Sequence, residues 1–247
     1  MEDFKKAQFT SLAAISEISL GGNILDMLKI EKQRNSEKSY RSIYNKFVHN
    51  RNLFSANFHG LVPWGIVLYG SRGFIFGGTH NYFNRNLPIR DKIKKDYASN
   101  IIAGSIEGFL TSPLSMMRVR TAENVTNNTK IYFDYRKCFK TSPLGSLKRG
   151  SDWGLRSFFY NHLKNKHNDQ ISAFFSGIIA SIITTPIDRM LPLMQQNKTP
   201  HNIISHIIKN PSLLFSGITF RLLHAGWHTL FIYSAINFTN VDFHKKY

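Results

Sequence analysis

The sequence predicts an all-α membrane protein: six transmembrane helices in three repeats, with short amphipathic connector helices on one side. Three observations carry this expectation. A short pattern occurs three times along the chain, a polar stretch follows each copy, and an aromatic-rich apolar segment follows each polar stretch. The 247 residues then form a single domain over 1–247, with repeats at about 1–84, 98–165 and 169–240.

The elements follow in order. The first copy, ILDMLKIEKQ from Ile24 to Gln33, closes a helix expected over 7–33, where Gly21-Gly22 is the point of weakness. A connector, 34–59, contains SYRSIYNKFVHN with apolar residues at partial helical spacing, and Phe58-His59-Gly60 leads into a helix over 60–84. The second copy, PLSMMRVRTA from Pro113 to Ala122, ends a helix over 98–122 in which Gly104 and Gly108 offer a close-packing face. After the connector 123–142, Phe139-Lys140-Thr141 opens a helix over 143–165. Its Lys148, Arg149, Asp152 and Arg156 must face a wet interior, because hydrocarbon does not tolerate them. The third copy, PIDRMLPLMQ from Pro186 to Gln195, ends a helix over 169–196, and after 197–212 Phe215-Ser216-Gly217 leads into a helix over 213–239. Pro113 and Pro186 fall inside helices and should kink them.

Bulk composition decides less. Hydrophobic residues make up 42% and the mean hydropathy is -0.24, yet 171–187 carries no charge and 222–240 carries none with neutral histidines. Both stretches approach the roughly 20 residues that span a bilayer. The net charge of +17 calls for an anionic partner, whether nucleic acid, lipid or solute. No nucleic-acid recognition motif accompanies it, so nucleic acid is not expected as a partner. The single Cys138 excludes an internal disulfide framework, and the histidines lack ligand spacing, so neither a metal nor another cofactor is expected. No enzyme motif is present: the chain has no phosphate loop, nucleophile elbow or paired carboxylates.

The three copies resemble the signature of the mitochondrial carrier family, Pro-x-[Asp/Glu]-x-x-[Lys/Arg]-x-[Lys/Arg]-x-Gln, on successive odd-numbered helices. In this sequence Ile24 replaces the first proline, Ser115 the second acid and Leu191 the third base. The resemblance implies a solute exchanger of the mitochondrial inner membrane, a monomer, with all three connectors on the matrix side. It also implies a matrix gate in which the acid of one odd helix pairs with the base of the next. Those pairs are Asp26 with Arg118, Ser115 with Leu191, and Asp188 with Lys29, so both lost charges fall in one pair; Gln33 and Gln195 would brace the ring.

On the opposite side only Tyr160-Asn161-His162-Leu163-Lys164 is similar to the family's second motif, and no ring of salt bridges is expected there. Substrate contacts implied near the midplane fall at Lys148, Arg149 and His224, with Arg72, Trp153 and Arg221 one turn away. Four cations against the single Asp152 imply an anionic solute, and Trp153 offers a surface for a base. A nucleotide or other phosphate-bearing anion is the first expectation, and a carboxylate or inorganic phosphate the second. Membrane lipid, including anionic lipid at the connector helices, is the other expected partner. Two competing classes are a non-transporting membrane scaffold and a soluble basic binding protein.

Overall fold

A computed structural model describes residues 2–34, 36–48, 61–127, 139–195 and 209–243, together with 58 and 205. The chain enters through α1 (Glu2–Glu17), passes a π-helical turn (Ile18–Gly22) and continues as α2 (Asn23–Arg34). Then come α3 (Tyr40–Val48), α4 (Trp64–Asn86), α5 (Lys92–Asn127), α6 (Ser142–Leu163), α7 (Asp169–Gln195), a 3-10 turn (Pro211–Phe215) and α8 (Ile218–Phe243). With α1, the π turn and α2 counted as one bent rod, six rods pack side by side, each on the next, and α8 closes the ring on α1 and α2.

Local sequence sets the breaks. Gly21 has φ 131°, a conformation that a side chain rarely allows, and it interrupts the first rod where no proline is available. α4 stops at Leu87, whose extended ψ of 131° suits a residue preceding proline. Pro143 sits in the first turn of α6, where its missing N–H costs nothing. Pro113 lies within the continuous helix α5. Ser39 Oγ accepts a 3.1 Å hydrogen bond from the Ser42 N–H and so caps α3. The inner face of α3 puts Ile43 against Met27 and Leu28, with Ile24 and Phe220 beside them. The connectors at 128–138 and 196–204 lie outside the described residues, as do Cys138, His59 and Gly60.

Close rod-to-rod contact depends on small residues. Thr10 Oγ1 donates to the Gly73 carbonyl at 2.8 Å and Ser11 Oγ to the Gly70 carbonyl at 2.9 Å, joining α1 to α4. Across α5 and α6, a Cβ on Gly104 would stand 2.7 Å from the Arg149 carbonyl, and one on Gly108 would collide with the Gly145 carbonyl. Gly108→Val is therefore expected to destabilise the protein by about 1–3 kcal/mol or more through overpacking. A lowered denaturation midpoint of the detergent-purified variant checks it.

The helices lie close to the segments expected from sequence, but the expectation of six transmembrane helices is corrected. Among the described residues one helical stretch, Asp169–Leu191, is long and apolar enough to cross a membrane. The physical reason is where the charges go. The other rods place Lys, Arg, Asp, Glu, His and amide groups among their apolar residues, and these turn into the ring. Glu17, Glu107, Arg118 and Asp152 are buried while Leu12, Leu110, Leu147 and Phe158 stand exposed outside. Each rod thus has a polar inner side that lowers its mean hydropathy. Residues 232–240 of the other apolar stretch lie outside those whose side chains are described.

Candidate functional site

Five buried carboxylates line the inside of the ring, and four of them are held by Lys or Arg, from their own helix or from other rods. At one end Asp26 on α2 meets Arg118 on α5 at 2.5 Å, and the Tyr69 hydroxyl donates to the same oxygen, Oδ2, at 2.7 Å. Arg118 also donates to Asn23 Oδ1 at 2.5 Å. Lys29 lies 2.6 Å from Asp26 on its own helix and 3.7 Å from Asp188 on α7. Gln33 Nε2 donates to Asp188 at 3.0 Å, whereas the side chain of Gln195 lies outside the described residues. Both ionic pairs read from the repeats are therefore within contact distance. Ser115 and Leu191 are half-buried, and among the described residues no ion pair joins α5 to α7.

Asp188 has further partners on the same side of the ring. Lys148 of α6 approaches it to 2.5 Å, and Arg221 of α8 makes a closer contact still. Arg221 also donates to the Ser181 carbonyl at 3.1 Å and to Thr184, and stands 3.8 Å from Asp152. Asp152 in turn holds Arg156 at 3.0 Å. Asp188 thus links the first rod to α6 and α8, on the side where among the described residues no ion pair joins α5 to α7.

The second cluster corrects the sequence reading of the cations as lacking a nearby acid. Arg149 Nε donates to both oxygens of Glu107, at 3.0 and 2.9 Å, and Arg72 lies 3.3 Å from the same carboxylate. Trp153 Nε1 donates to Glu107 at 3.3 Å, and its ring already stacks on Phe76 with centroids 4.1 Å apart. Trp153 is not an open platform; it is a wall that positions Arg149 and Arg156, whose guanidinium carbons lie 5.7 and 5.6 Å from its centroid. His224 faces Glu17 and Asp26, at 3.8 Å from each, rather than an empty space. Sequence reasoning missed Glu107 and Glu17, both fully buried.

Seven Lys and Arg side chains meet four of those carboxylates, and against all five they leave a surplus of two positive charges with the histidines uncharged. Away from the Asp26 end, a cavity of about 180 Å³ lies between α5, α6, α7 and α8, bordered by Asp96, Trp153, Arg156, Tyr160, His228 and Thr229. His80 stands 3.2 Å from Asp96 at its rim, and Ser157 donates to Asp96 at 2.9 Å. The arrangement closes one end of the ring with ionic contacts and leaves towards the other a recess bordered by one arginine, one aspartate and one histidine. Among the described residues no group of three His, Cys, Asp or Glu is arranged to hold a metal ion. In comparisons with known proteins, no family model and no curated protein matches this sequence.

Proposed function

We propose that the chain is an anion carrier that exchanges a phosphate-bearing solute across a membrane by alternating access, with a nucleotide as first choice. The observation that carries the reading is that two cations, from α6 and α8, are shared with the acid that ties the closed end. Lys148 and Arg221 both hold Asp188, which also faces Lys29 and Gln33. An anion entering past Arg156 competes with Asp188 for Lys148 and Arg221, so solute binding loosens the closed end. The surplus of positive charge supports a solute with two negative charges. Arginine's planar fork suits phosphate oxygens. The polar interior and apolar exterior support a membrane setting, and the resemblance of the three repeats supports the mitochondrial inner membrane.

Purified protein in liposomes loaded with ADP, inorganic phosphate or malate is expected to exchange at least one labelled anion. Arg149→Ala is expected to slow that exchange at least about tenfold, corresponding to about 1.4 kcal/mol. Absence of exchange across the panel overturns the carrier reading, and unchanged exchange in Arg149→Ala overturns the assigned site.

A further inference from the structure

Beside the anion site, the first rod and α8 enclose a second cluster that the exchange reading leaves unused. Glu17, fully buried, lies one residue before the π turn, and its carboxylate occupies the space beside Gly22. Its Oε2 is 3.2 Å from Nδ1 of His228, which borders the cavity. Its Oε1 has no hydrogen-bond partner, and neither has Nε2 of His224, 3.8 Å away. The other nitrogen of His224, Nδ1, lies 3.8 Å from Asp26 Oδ1. Each imidazole nitrogen of His224 therefore points towards a carboxylate oxygen.

A neutral imidazole presents one N–H and one lone pair, so one of these two approaches sets lone pair against lone pair. An imidazolium has two N–H donors, one directed to each carboxylate. An added proton thus removes the lone-pair clash that either neutral tautomer leaves, where leaving buried polar atoms unpaired is costly. The groups facing His224 from neighbouring elements are Glu17 of α1 and Asp26 and Lys29 of α2. Arg118 of α5 and Tyr69 of α4 stand behind Asp26. On α8 itself lie His228 and Arg221, the latter engaged with Asp152 of α6 and Asp188 of α7.

We infer that His224, Glu17 and His228 form a proton-binding site, and that the protein carries a proton together with its anion. The inference rests on the carrier reading above. A proton from the cavity reaches Glu17 through His228 and passes to His224, with no bond other than N–H and O–H made or broken. Protonated His224 competes with Arg118 and Lys29 for Asp26. The proton thereby acts on Asp26 while the anion acts on Asp188, so the two solutes together release the closed end.

The test uses liposomes holding the purified protein and a pH-sensitive dye, with labelled ADP, inorganic phosphate or malate outside. With the outside made acid, wild type is expected to take up anion with matching internal acidification. Glu17→Gln should lose about tenfold or more of that proton-linked net uptake, consistent with removal of a positioned proton-transfer group. Anion-for-anion exchange at equal pH should persist in that variant and shows that it is folded. If exchange runs but wild-type net uptake brings no proton, or Glu17→Gln carries protons as wild type does, the proton site is overturned and the carrier reading stands. No exchange in wild type overturns both. If Glu17→Gln loses exchange as well, His228→Gln decides on the same two readouts, and loss of both there counts against the proton site.

Discussion

Arg118→Leu is expected to destabilise the purified protein by about 3–5 kcal/mol and to abolish exchange, because it leaves Asp26 buried without its α5 partner. Denaturant midpoints measure the first effect and counter-exchange the second. The stricter experiment reverses the pair. Asp26→Arg and Arg118→Asp are each expected to abolish exchange, and the double variant to restore part of it. Recovery should be incomplete for reasons visible around the pair. Lys29, 2.6 Å from Asp26, would then face an arginine, the Tyr69 hydroxyl would lose its bond to Asp26, and Asn23 Oδ1 its bond from Arg118. A double variant no more active than the single variants would refute a direct role for this pair in exchange.

Glu107→Leu is expected to have the larger effect on stability, exceeding the cost of a single broken pair. It strands two buried guanidinium groups, Arg72 and Arg149, and removes the acceptor for Trp153 Nε1. Little folded protein should be recovered from detergent extraction. Glu107→Gln keeps the shape and one acceptor and should fall between this variant and wild type. Replacing Arg72 and Arg149 by methionine in the Glu107→Leu background should recover stability, since an apolar group of similar volume can replace a buried ion pair at little cost. The same triple variant should not exchange anions. Failure of the two methionines to raise the denaturation midpoint would show that the cluster's charges are not what Glu107 balances.

These contrasts also mark what could be read from the sequence. Asp26, Lys29, Arg118 and Asp188 were legible because three repeats place them at matched positions, onto which the pairing implied by the family resemblance could be carried. Glu107 has no counterpart in the other copies and reads as a lone acid. A usable signal was present: it lies eleven residues before Arg118, about three turns of helix, and so shares the inward face. Glu17 was not legible in this way. It precedes Asp26 by nine residues, about two and a half turns, which puts it on the opposite face of a regular helix. The π turn at Ile18–Gly22 changes that phase and brings both carboxylates within reach of His224. The reading of six membrane spans did not hold because the polar lining it expected for 143–165 extends to α4 and α5 as well, which leaves Asp169–Leu191 the one described stretch apolar enough to cross.

The bend at Gly21 has a mechanical consequence. α2 is a twelve-residue arm beyond that bend, and it carries both Asp26 and Lys29. A symmetric three-link closure would part like an iris, with three equal leaves. Here both surviving ties have one end on the same short arm, while the seam between α5 and α7 has none. Under the carrier reading, swinging that arm about Gly21 would break both ties together, and the closed end would work as a door with a single hinge.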